Sequence, residues 1–72
     1  MSQPLKNPDL EALAAATARV LKANGKAMAS QYLLGALEAK GLYDHKDPKK
    51  SKLKGWEVHA IADRSLAIMG AI

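Results

Sequence analysis

The stretch Trp56-Glu57-Val58-His59-Ala60-Ile61-Ala62-Asp63-Arg64-Ser65-Leu66-Ala67-Ile68-Met69-Gly70 decides the fold. Val58, Ile61, Ala62, Ser65, Leu66, Met69 and Ile72 recur at three- and four-residue spacing, which predicts a helix over about 56–70. Trp56, Val58 and Ala60 also alternate, so a strand over 56–60 is the competing reading. A helix leaves the chain mainly α. A strand would pair with whatever precedes it.

What precedes it carries no helical period. From Gly41 to Gly55 the turn formers Asp44, Pro48 and the two glycines punctuate a lysine-rich segment. A structureless loop of that length is uncommon in a small domain and points to a function or to a β-hairpin. Upstream, a helix is expected from about Lys26 to Lys40, ended by Gly41. Met28, Tyr32, Leu33, Ala36 and Leu37 form its inward stripe, widened by Leu34, with Glu38 and Lys40 outside.

The first helix starts at Asn7-Pro8-Asp9, with Asn7 as N-cap and Pro8 at the first helical position. Asp9 lies favourably near the positive end of the helix dipole. Leu10, Leu13, Thr17, Val20 and Leu21 make one face, and Asn24-Gly25 closes the helix. Residues 1–6 are expected as a flexible arm, and 7–72 as a single domain with a basic loop over 44–55. The expected fold is a small, mainly α, three-helix domain: a helical hairpin, a basic loop or wing, and a C-terminal helix.

Composition limits the core. Fourteen of the 72 residues are alanine, none is phenylalanine, and Tyr32, Tyr43 and Trp56 are the only aromatics. Alanine favours helix but removes little area from water, whereas a buried leucine contributes roughly 1.5–3 kcal/mol. With no cysteine there is no disulfide to supplement this core. Self-association into a homodimer, or burial against a partner, is expected to add the missing burial. No signal-like start and no apolar run of membrane-spanning length is present, so a soluble cytoplasmic protein is expected.

Charge is concentrated in one place. Lys46-Asp47-Pro48-Lys49-Lys50-Ser51-Lys52-Leu53-Lys54 holds five lysines and one aspartate, a net +4 equal to that of the whole chain. Such a segment attracts polyanions or acidic protein surfaces. Lys46, Lys49, Lys50, Lys52 and Lys54 are therefore the candidate phosphate contacts, with Lys26 or Arg64 in support. Tyr43 and Trp56 flank the lysines, where aromatics can stack on bases. The plainer role for Trp56, one of few large side chains, is to anchor the far end of the loop to the core.

Leu37-Glu38-Ala39-Lys40-Gly41-Leu42-Tyr43, then Asp47-Pro48-Lys49-Lys50 and Trp56-Glu57-Val58, resemble part of a winged helix-turn-helix DNA-binding domain. The resemblance lies within about residues 26–60 and implies a recognition helix followed by a basic wing. It would make Lys26, Ser30 and Gln31 groove contacts and Lys49, Lys50 and Lys52 the wing. The family places two helices ahead of its recognition helix, whereas Gly25 to Gly41 has room for one.

Other chemistry is thinly represented. His59 and Asp63 are four residues apart, and His45 lies between Asp44 and Asp47, but no third metal ligand is guaranteed. Ser2, Ser30, Ser51 and Ser65 lack a nucleophile context. No enzyme, cofactor or metal is expected. The apolar end Ala67-Ile68-Met69-Gly70-Ala71-Ile72 is expected to pack across the hairpin, or else to expose an interface. The leading expectation is a small non-catalytic nucleic-acid-binding protein. The alternative is a small protein-interaction module, of the phage- or plasmid-type inhibitor or adaptor kind, whose lysine loop engages an acidic patch.

Overall fold

Asn7 opens the first helix as its residue type dictates: the Asn7 side chain accepts from the backbone N–H of Asp9 at 2.9 Å and of Leu10 at 3.4 Å. In the computed structural model, which describes residues 3–72 (the Pro48 side chain excepted), α1 then runs Pro8–Asn24. The first two residues of the expected arm lie outside the described residues. Gly25 closes α1 with φ 89° and ψ 177°, donating to the Leu21 carbonyl at 3.0 Å. The Gly25 carbonyl also accepts from Ala29 N–H at 3.1 Å, so one residue ends α1 and starts α2, Lys26–Ala39. A side chain is strained at that φ, which is why glycine stands there.

α2 ends in a Schellman arrangement. Gly41, at φ 69°, donates to Glu38 O at 3.0 Å, and Leu42 N–H reaches Leu37 O at 2.9 Å. The next regular turn is a short 3₁₀ turn, Pro48–Lys50, and α3 spans Gly55–Ala71. Trp56–Ala60 is therefore helix rather than strand, and no strand forms among the described residues. The expected mainly α, three-helix domain is what the chain adopts.

α1 is the shared partner, packing on α3 and on α2. Glu11 meets Arg64 and Lys22 Nζ reaches the Ile72 carbonyl at 3.2 Å, so α1 and α3 advance in the same direction, with α2 returning between their ends. The buried apolar residues are Leu13, Ala14, Ala18, Ala29, Leu33, Leu37 and Ile61, three of the seven being alanine. Leu10, Leu42, Leu53, Val58, Ala62 and Ile68 pack around them. Leu5, in the segment read as an arm, also lies against this core. Two buried hydroxyls are satisfied within their own helices: Thr17 donates to Leu13 O at 2.8 Å and Ser65 to Ile61 O at 2.9 Å.

Two inward expectations are corrected. Met28 is 52% exposed and Tyr32 41%, because α2 buries only the stripe Ala29, Leu33 and Leu37 that faces its neighbours. Trp56 is not a core anchor either: it is 68% exposed. The far end of the loop is fixed instead by Leu53 against the core. Of the apolar C-terminus, Ile68 packs inward whereas Ile72 is 61% exposed.

Candidate nucleic-acid interface

The basic segment is an ordered loop closed at its base. The Leu42 carbonyl accepts from Lys52 N–H at 3.0 Å and from Leu53 N–H at 2.9 Å, which brings the two ends together. Asp44 organises the outgoing limb, its carboxylate accepting from Lys46 N–H at 2.9 Å and Asp47 N–H at 3.3 Å. Asp47 does the same for the 3₁₀ turn, taking Lys49 N–H on its carboxylate at 3.1 Å and Lys50 N–H on its carbonyl at 3.0 Å. Ser51 ties the limbs: its hydroxyl accepts from Asp44 N–H at 2.8 Å and lies 3.1 Å from the Asp44 carbonyl, to which it donates. The aspartates thus serve the backbone, leaving the lysines to solvent.

Lys46, Lys49, Lys50, Lys52 and Lys54 are all exposed. The one ion pair these five make among the described residues is a loose one, Lys50 Nζ to Asp47 Oδ2 at 4.0 Å, between well-exposed groups. Such a contact is worth at most a fraction of a kcal/mol, about 0–1. Lys54 closes the loop as the N-cap of α3, where Glu57 Oε1 accepts its backbone N–H at 3.0 Å. Trp56 follows in the first turn of α3, two residues beyond Lys54. Tyr43 is half-buried and packs against the core beneath the loop.

The two supporting cations stand apart from this group. Lys26 begins α2, whose 14 residues put it about 20 Å from the loop end of that helix. It lines a groove of about 210 Å³ between the three helices, with Ser30, Leu33 and Leu66 among its walls. Gln31 and Ser30 are exposed on α2. Arg64 is engaged elsewhere: its Nη2 lies 2.9 Å from Glu11 Oε2, and its Nε donates to both carboxylate oxygens at 3.0 and 3.1 Å. These bonds from Arg64, with a further one from Leu5 N–H at 3.1 Å, hold the Glu11 carboxyl below its ordinary range. The hydrogen bond to Glu11 likewise pushes Arg64 up.

A second cleft, of about 390 Å³, lies under the loop and is lined by Glu38, Tyr43, Asp44, His45, Lys46 and Lys50. His45 Nδ1 pairs there with Glu38 Oε1, tying the loop to the end of α2. No group of three or more His, Asp or Glu side chains suited to a metal ion occurs among the described residues.

Sequence reasoning treats Trp56 chiefly as a core residue, although the helical period carries the opposite signal. At roughly 100° per residue, Trp56 lies about 140–180° around α3 from the buried Ile61 and Ser65. No family model matches the chain, and no curated protein or solved structure does so either.

Proposed function

We propose that the protein binds nucleic acid without catalysis, using Lys46, Lys49, Lys50, Lys52 and Lys54 to contact phosphates. The observation that carries this reading is the division of labour within the loop: Asp44 and Asp47 hold the backbone while all five lysines are exposed. Each lysine that neutralises a phosphate releases a condensed counterion, so affinity arises without a shaped pocket. The winged helix-turn-helix resemblance makes Lys49, Lys50 and Lys52 its wing, the same lysines the loop exposes, although no strand forms there among the described residues. In this loop those residues sit on and after a 3₁₀ turn.

The test is anisotropy of a labelled oligonucleotide at low salt. The wild type binds, and Lys49→Ala/Lys50→Ala/Lys52→Ala loses most of that affinity. Equal binding by the two proteins removes the loop from the site.

The protein-interaction reading is favoured by one separate observation. Met28 and Tyr32 on α2 and Leu66 on α3 are large apolar groups left partly exposed. They are suited to burial against a second copy or against a larger partner. Sedimentation at micromolar concentration tests self-association: a dimer supports it, and a monomer whose melting is unchanged over a hundredfold dilution excludes it.

A further inference from the structure

The inference rests on the nucleic-acid reading and narrows its ligand. We propose that the ligand is single-stranded, with an unstacked base lying on Trp56 while the loop lysines hold the phosphates beside it. Trp56 is the largest side chain in the protein and is 68% exposed. Exposing an indole gives up burial that this alanine-rich core lacks, since among the described residues only Leu13, Leu33, Leu37 and Ile61 of the larger apolar side chains are buried. Among the described residues Trp56 belongs neither to the buried core nor to the side chains packed against it. Leu53 and Val58, not Trp56, pack against the core on either side.

Its position is what a stacking platform requires. Lys52 and Lys54 lie four and two residues before Trp56, and the loop base is closed by the Leu42 carbonyl, so along the chain Trp56 follows closely on the cationic segment. His59 is three residues further along α3 and exposed, and Asp63 follows four later, so all three share one side of the helix. A strand leaving the lysines along this side meets Trp56, then the flat imidazole of His59. The Asp63 carboxylate then repels further phosphates. The track is therefore short.

Duplex and single strand offer different things to this surface. In a duplex the faces of the bases are covered by their neighbours, and only phosphates and groove edges remain. Trp56 then gains little, and binding rests on the lysines alone. In a single strand every base has a free face, and one base–aromatic stack changes affinity by on the order of tenfold.

Trp56 is the only tryptophan, so its fluorescence reports the contact directly. The protein is titrated at low salt with oligothymidylate of about 12 nucleotides, a duplex of the same length, and inorganic polyphosphate. Oligothymidylate should quench Trp56 and bind more tightly than the duplex. Trp56→Ala should weaken oligothymidylate binding by on the order of tenfold, leave duplex and polyphosphate binding unchanged, and keep the salt slope. Trp56→Phe, read by anisotropy of labelled oligothymidylate, should restore part of the loss. Equal affinity for single strand and duplex, or full binding by Trp56→Ala, overturns the stacking inference while leaving the lysine site standing. Failure of all three polyanions to bind overturns the nucleic-acid reading itself.

Discussion

Glu11 and Arg64, 53 residues apart in the chain, form a bidentate pair that fixes the first half of α1 to the middle of α3. Leu5 N–H donates to the same carboxylate, so one acidic side chain also docks the segment ahead of α1. The pair lies away from the lysine loop and removes Arg64 from the surface available to phosphate. The arginine in the middle of α3 therefore holds the scaffold together, whereas the five loop lysines are exposed.

Acid should weaken this tie. The Glu11 carboxyl is lowered from 4.5 in the folded protein, by the Arg64 hydrogen bonds first and the Leu5 N–H second. Its contribution is thus present above the unfolded value and is lost as pH falls through the folded one. Glu11→Gln should melt below the wild type at neutral pH, and the gap should close at acid pH. A gap that stays constant across that range would contradict the assignment. Arg64→Ala should behave in the same direction.

The one-residue connection between α1 and α2 makes Gly25 sensitive. At φ 89° an added Cβ is strained although nothing lies within 4 Å of it. Gly25→Ala should cost about 1–2 kcal/mol in chemical denaturation. Gly35, in the exposed middle of α2 with open space around it, should do the reverse, and Gly35→Ala should stabilise by about 0.5–1 kcal/mol. The same sign at both positions would contradict the helix boundaries.

Core and surface should separate cleanly. Leu37 is 0% exposed, so Leu37→Ala should cost about 2–5 kcal/mol, a large share of a small domain's stability. Trp56→Ala should change stability by less than about 0.5 kcal/mol, as expected for an exposed residue. Thermal melts followed by circular dichroism check both. A large loss for Trp56→Ala would mean that the indole anchors the loop.

Helix ends are the most legible part of the chain because their chemistry is local. Asn7, Gly25 and Gly41 cap helices where their residue types say they should. Which apolar residues become buried is less legible. Met28 and Tyr32 fit a helical stripe, yet their exposure follows from how much of α2 its neighbours cover, a tertiary property. The lysine loop stands out by charge alone. Its order does not, because the bonds that close it come from the Leu42 carbonyl and the Asp44 carboxylate rather than from a periodic pattern.

The lysines should be dispensable for folding. Apart from the 4.0 Å contact of Lys50 with Asp47, the side chains of Lys49, Lys50 and Lys52 make no ion pair among the described residues. The triple alanine variant should keep wild-type helicity and melting. Asp44→Ala, which strips two backbone N–H groups of their acceptor, should loosen the loop, seen as faster amide exchange at Lys46 and Asp47. Unfolding of the lysine variant would make those residues structural.

Whether the loop lysines hold phosphates is read from the salt dependence of nucleic-acid binding. With three to four lysines on phosphates, log affinity should fall linearly with log salt. The slope should be about −3 on duplex DNA and somewhat shallower, about −2 to −3, on a single strand. In the Lys49→Ala/Lys50→Ala/Lys52→Ala protein the duplex slope should flatten by about 0.9 for each phosphate that is no longer neutralised. A slope that is unchanged in that variant, or no measurable binding to either form at about 50 mM salt, would contradict the account.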